Sequence, residues 1–392
     1  MIGSFYPPQR TLLGPGPSDV SPRVLAAMAR PTIGHLDPEF IRMMDEMRTL
    51  LQYAFQTQNA LTMAVSAPGS AGMETCFVNL VEPGDKVIVC QNGVFGGRML
   101  ENVRRFGGEA VLVEDAWGEP VSVSKVEAAI AANPDAKILA FVHAETSTGV
   151  RSDAQALCQL AARHGLLTIM DAVTSLGGIE LAIDAWGVDA VYSGSQKCLS
   201  AVPGISPISM SDRALAKVKA RTTPVPSWFL DLNLVMGYWG QGTRRAYHHT
   251  APVNTLYALH ESLVMLQEEG LEAAWQRHAL HHQALKAGLE AMGLLLLVDE
   301  AYRLPQLNTV EVPAGVDEAK VRAFLLDTFD LEIGAGLGAL AGKVWRIGLM
   351  GHGCNERNVS FCLSALEAAL LQQGHPLSAG AALKAAQGVY RG

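Results

Sequence analysis

The sequence predicts an α/β protein with a mostly parallel central sheet and a smaller α+β block towards its C-terminus. Three observations carry this reading. Short, wholly apolar runs recur between residues 61 and 192, and strands buried on both faces read that way. Helical segments separate those runs, and strand–helix alternation builds a parallel sheet with right-handed crossovers. Near residue 255 the rhythm changes to long helical stretches and more widely spaced strands.

Each element follows from local chemistry. Residues 1–20 include Y-P-P-Q-R-T-L-L-G-P-G-P-S-D-V. Pro fixes φ and Gly interrupts periodicity, so this stretch reads as an extended arm. Runs at 61–66, 86–90, 109–113, 137–143, 166–170 and 190–192 read as strands, with helices over 70–81, near 124–132 and over 154–164. Beyond them come one or two helices over 255–293, a strand at 309–312, a helix near 316–328, a strand at 344–347 and helices after 355. The expected organisation is an arm (1–20), a large domain (21–265) and a small C-terminal domain (266–392).

Composition narrows the function. Hydrophobic residues make up 49% of 392, enough for a sizeable core. The net charge is −8 and no basic run stands out, which argues against a nucleic-acid partner. The six cysteines form no C-x-x-C pair and mostly lie in apolar runs. They read as buried thiols in a reducing compartment, with no metal site. No secretory leader or bilayer-length apolar run is evident. A cytoplasmic enzyme acting on small molecules is expected.

In an open parallel sheet, ligands bind beyond the carboxyl ends of the strands. Ala67-Pro-Gly69-Ser70 follows the first strand and opens a helix, whose free N–H groups favour a phosphate. Phe95 lies among glycines after the second. Thr146 stands in a run of hydroxyl residues, Asp171 ends an apolar strand, and Ser193-Gly-Ser-Gln196-Lys197 follows the last. Singly, each has a bland reading as a turn, a cap or a core residue. Together they suit pyridoxal 5′-phosphate, which needs a Schiff-base lysine, an acid at its ring nitrogen, phosphate donors and a stacking face. Lys197 is the candidate lysine and general acid/base, and Asp171 the candidate acid.

The motifs H-A-E-T-S-T-G-V (143–150), D-A-V-T-S-L-G-G (171–178), Y-S-G-S-Q-K (192–197), A-Y-H-H-T-A-P-V (246–253) and W-R-I-G-L-M-G (345–351) give the chain a resemblance. It resembles class V aminotransferases of fold type I, in the alanine–glyoxylate and serine–pyruvate group. The resemblance spans nearly the whole chain. It implies cofactor roles for Gly69, Ser70, Phe95, Thr146, Asp171, Val173, Gln196 and Lys197. It also implies that Tyr247 and Thr250 reach the phosphate of the other subunit of a homodimer. Arg346 would grip the substrate carboxylate, and Gly16 and His35 would line the substrate. Phe95 departs from the tryptophan of the animal enzymes.

Ureidoglycine–glyoxylate aminotransferases share the tail A-G-A-A-L-K-A-A-Q-G-V-Y at 379–390, but tend to carry Gln and Asn at the positions of His35 and Tyr247. The resemblance therefore implies alanine or serine as donor to glyoxylate, with ureidoglycine as the alternative. A cysteine desulfurase would need a cysteine within 315–345, and none is there. A non-catalytic binding protein on this scaffold would be expected to have lost Lys197 or Asp171. G-A-G-L-G at 334–338 reads as a flexible loop near the substrate, and His278, His281 and His282 as the solvated face of a helix rather than metal ligands.

Overall fold

The computed structural model describes residues 1–240 and 245–391. A seven-stranded sheet lies at its centre, in the order Leu61–Val65, Ser206–Met210, Ala190–Tyr192, Leu167–Asp171, Ile138–Val142, Lys86–Gln91, Glu109–Glu114. The last five run parallel. Ser206–Met210 is antiparallel to both neighbours and has no counterpart among the expected strands. Its sequence S-P-I-S-M conceals it, because serine and an internal proline argue against a central strand. The fold accommodates both. Ser206 Oγ donates to Ser193 O at 2.6 Å, Ser209 Oγ bonds Thr62 Oγ1 at 2.9 Å, and the Pro207 carbonyl accepts from Ser193 N at 2.8 Å.

Helices cover the sheet. Gly69–Leu80 and Val94–Arg105 follow their strands after short turns. Pro38–Phe55 is a further helix beyond those expected. Asp37 caps it by accepting from Glu39 N, and Pro38 opens it, a position where the missing N–H costs nothing. The stretch 255–293 resolves into two helices, Val253–Glu269 and Leu271–Ala291, parted at Gly270, whose φ is 87°.

A three-stranded antiparallel sheet follows, in the order Leu307–Glu311, Val344–Gly348, Gly334–Ala335. The 334–338 run is therefore not simply a loop. It opens with a strand paired to Arg346 and Trp345, and its glycines leave room for the Pro15 ring, the Leu340 carbonyl and the Trp117 ring. One apolar cluster joins residues from Phe40 to Ala274, and a second joins Leu13 with residues from Ala284 to Ala386. Residues 1–9 are exposed, and Thr11–Leu12 pairs in parallel with Leu331–Glu332.

The histidines of Leu271–Ala291 depart from expectation. His278 is fully buried and His281 is buried, because other helices and the 350–355 loop close over them. His278 Nδ1 bonds Ala274 O at 2.6 Å, His281 Nδ1 bonds Tyr390 Oη at 2.8 Å, and His282 Nδ1 bonds Asn308 Oδ1 at 2.6 Å. All six cysteines are free and buried. No helix of the described residues is long and apolar enough to cross a membrane.

Candidate active site

The carboxyl ends of the parallel strands converge on Lys197. Its loop is fastened from the N-terminal segment. Ser18 N donates to Gln196 O at 2.9 Å, Ser18 Oγ donates to Lys197 O at 2.7 Å, and Lys197 Nζ bonds the Pro15 carbonyl. Gly16 lies directly against the amine, and a Cβ there would overlap it. Burial, helped by the nearby Arg346 cation, lowers the lysine pKa to about 8. A free amine is thus accessible near neutral pH, as proton transfer requires.

Asp171 ends its strand opposite Tyr192 in the neighbouring one. Val173 N donates to Oδ1 and Tyr192 Oη to Oδ2, each at 2.8 Å. Burial raises the acid to about 7, against the pull of those two bonds. In the sequence Tyr192 ends an apolar run and opens the Y-S-G-S-Q-K motif, and nothing there marks it as an acid's partner.

Glu145 is a second buried acid that sequence reasoning passed over. Its Oε1 accepts from Ser147 N at 3.0 Å and Ser147 Oγ at 2.6 Å, and its Oε2 accepts from Phe95 N at 3.2 Å. The helix Val94–Arg105 has Gly93 as N-cap and no side-chain cap of its own. Glu145 takes that place from across the site and so fixes the start of the helix carrying Phe95. A Cβ at residue 93 would overlap the Glu145 carboxyl, so the glycine makes room for the acid. The sequence signal was a lone carboxylate in a run of hydroxyls. Phe95 and Val173 are half-buried against the first apolar cluster.

The helix Gly69–Leu80 starts with no side-chain cap, leaving its first N–H groups available to an anion. Gly69 is buried beside Val173, Ser193 and Gly194, while Ser70 is exposed. His249, which the sequence did not single out, bonds Ser66 Oγ at 2.7 Å just before this turn. It thereby ties segment 247–250 to the phosphate-turn region of its own chain. Tyr247 (65%) and Thr250 are exposed. His35 lies with Tyr247, ring centroids 5.3 Å apart, and its Nε2 is buried with no partner among the described residues.

Arg346 comes from the C-terminal block. It donates to Ala335 O at 2.7 Å and Thr146 O at 3.1 Å. Burial lowers its pKa to about 10, with the Glu145 charge opposing. Gln196 Oε1 is buried without a partner among the described residues, which suits a polar ligand beside it. The structure thus gathers Gly16, Gly69, Phe95, Thr146, Asp171, Val173, Gln196, Lys197 and Arg346, and sets Ser70, Tyr247 and Thr250 on the surface.

A depressed lysine, a buried acid, an uncapped helix start and an unpaired amide fit pyridoxal 5′-phosphate. Fold and site define a pyridoxal-phosphate-dependent enzyme of the large α/β class. Residues 16–352 match the aminotransferase class-V family. The chain belongs to that family and is an aminotransferase.

Its relatives are close. It is 44% identical over 365 residues to the alanine–glyoxylate aminotransferase of Oryctolagus cuniculus, covering 93% of each chain. The solved ureidoglycine–glyoxylate aminotransferase of Bacillus subtilis superposes with a TM-score of 0.97 at 39% identity, covering 100% of both chains. The solved alanine–glyoxylate aminotransferase of Nostoc sp. gives 0.92 at 46% identity, covering 94% of this chain and 97% of the other.

Proposed function

We propose that this aminotransferase moves the amino group of alanine or serine to glyoxylate. The observation that carries the proposal is the meeting of His35 and Tyr247, with ring centroids 5.3 Å apart. An imidazole and a phenol at these positions go with the alanine and serine type. The rabbit and Nostoc relatives support the same reading. A second reading, ureidoglycine as donor, is favoured by the full-length match to the Bacillus subtilis structure, tail included.

Roles follow from chemistry. Pyridoxal 5′-phosphate supplies an electron sink for the substrate's Cα. The N-terminus of Gly69–Leu80 with Ser70 holds a phosphate. Phe95 and Val173 would flank the cofactor's flat ring, Thr146 and Gln196 would contact it, and Asp171 would keep a proton on its ring nitrogen. Arg346 grips the substrate carboxylate with a guanidinium fork, and Gly16 and His35 line the substrate. Lys197 Nζ then takes the Cα proton.

The working form is a homodimer. Tyr247 and Thr250 are exposed, and so are Trp228, Phe229 and Leu234. Tyr247 and Thr250 would complete the partner's phosphate site. Six buried free thiols suit the cytoplasm.

A donor scan tests the function. With glyoxylate as acceptor, kcat/KM is compared for alanine, serine and freshly generated ureidoglycine. Alanine or serine ahead by tenfold or more supports the proposal, and ureidoglycine ahead replaces it with the second reading. Sedimentation of the holoenzyme at micromolar concentration should give twice the chain mass, and a monomer would overturn the dimer.

A further inference from the structure

Tyr192 is 1% exposed and stands opposite Asp171 in the parallel register of two adjacent strands. That pairing puts both side chains on one face of the sheet. The phenol donates to Asp171 Oδ2 at 2.8 Å, and Val173 N donates to Oδ1 at 2.8 Å. Each carboxylate oxygen is thus held once from behind, and the lone pairs left over are free to face a ligand. The side chain packs under the helix Gly69–Leu80, where a Cβ on Gly72 would come within 3.3 Å of the Tyr192 Cβ. One residue therefore touches both the helix that opens on the phosphate turn and the acid.

A buried phenol needs an acceptor, and a backbone carbonyl would serve. An acid is a different choice, because it makes the bond charge-assisted and holds the carboxylate against rotation. The groups around Asp171 set its charge. Glu145 opposes ionisation, while Lys197 and the Tyr192 hydroxyl favour it. Cys76, also close, is kept as a thiol by burial. Burial and the neighbouring carboxylate push the phenol's own pKa well up, so it stays a donor throughout the working range.

We infer that Tyr192 is a positioning residue of the transamination site. It holds Asp171 in the orientation and charge state in which that acid meets the cofactor's ring nitrogen. The inference rests on the proposed role of Asp171. Removing the hydroxyl makes Asp171 a stronger proton acceptor, draws the shared proton away from the ring and weakens the electron sink.

The test titrates the visible absorbance of the bound cofactor from pH 5 to 10. The proteins are wild type, Tyr192→Phe, Asp171→Asn and the double variant, all as holoenzymes. Tyr192→Phe should move the titration midpoint up by about half a unit or more and lower kcat about tenfold, with donor KM changed by less than about twofold. In the Asp171→Asn background the same change should cost little, since the carboxylate whose charge Tyr192 sets is already gone. Fluorotyrosine at 192, a stronger donor of nearly the same shape, should move the midpoint down, so the inference stays testable if Tyr192→Phe folds poorly.

An unchanged midpoint in both Tyr192 forms overturns the inference, as does an equal cost of Tyr192→Phe with and without Asp171. If Asp171→Asn itself leaves absorbance and turnover untouched, the role of Asp171 fails and the inference falls with it. If Asp171→Asn acts and the Tyr192 forms do not, only the inference falls.

Discussion

Two buried polar regions of this chain behave in opposite ways. Along the helix Leu271–Ala291, His278 is held between Ala274 O and Gly351 N, and burial with the Arg277 charge lowers its pKa to about 4. It is neutral, partnered and inert. At the strand ends, Lys197 and Asp171 are buried too, yet their pKa values stand at about 8 and about 7. There burial is only partly offset, and polar atoms such as Gln196 Oε1 have no partner among the described residues. Burial of a titratable group does not by itself make a site. Chemistry collects where the protein leaves the hydrogen-bond account open.

Substitutions can break or sharpen this contrast. The largest effect belongs to Lys197→Ala, which should lower turnover by about a thousandfold or more and abolish the visible absorbance of the covalently held cofactor. Normal turnover would falsify the site. Arg346→Ala should cost kcat/KM a factor of roughly 10 to 100, carried mainly in donor KM. Glu145→Ala leaves Phe95 N without its acceptor and should loosen cofactor binding about tenfold, read by equilibrium dialysis.

Asp171→Asn separates function from stability. In the cofactor-free protein the folded state keeps this proton up to about pH 7, while an ordinary aspartate in the unfolded chain releases it near 3.8. Folding therefore binds a proton in that window, and the group's contribution to stability falls as pH rises from about 4 to 7. The variant should remove that slope and melt a few degrees higher than wild type at pH 8, while losing turnover. A lower melting temperature at pH 8 would count against an acid whose ionisation burial opposes. The smallest expected effect on chemistry is that of His278→Ala, which strands Gly351 N and should cost about 1–3 kcal/mol in urea unfolding. Its kcat should stay within twofold, and a larger loss would erase the contrast.

Much of this was legible in the chain. Apolar runs and small-residue turns put Gly69, Phe95, Thr146, Asp171 and Lys197 at strand ends, and the fold brings those ends together. What stayed hidden has physical reasons. Tyr192 looked like the end of a core strand, because its role depends on register with Asp171, 21 residues earlier in the chain. Glu145 was masked by the hydroxyls beside it, and its partner across the site, Phe95 N, is a backbone N–H, which no side-chain pattern records. Ser206–Met210 was missed because its serines find partners only in the folded sheet. The histidines of Leu271–Ala291 misled because helical spacing says which residues share a face, and not whether another helix covers it.

Gly16 and Gly93 carry a consequence for inheritance. Each lies where a Cβ would overlap a site side chain, the Lys197 amine in one case and the Glu145 carboxyl in the other. Every base change that alters a glycine codon's meaning to another residue adds at least a methyl group or its equivalent. A lineage carrying such a change would keep every reactive residue intact and still lose the enzyme. Inactive alleles of this gene would then be found at codons that no inspection of reactive side chains would flag.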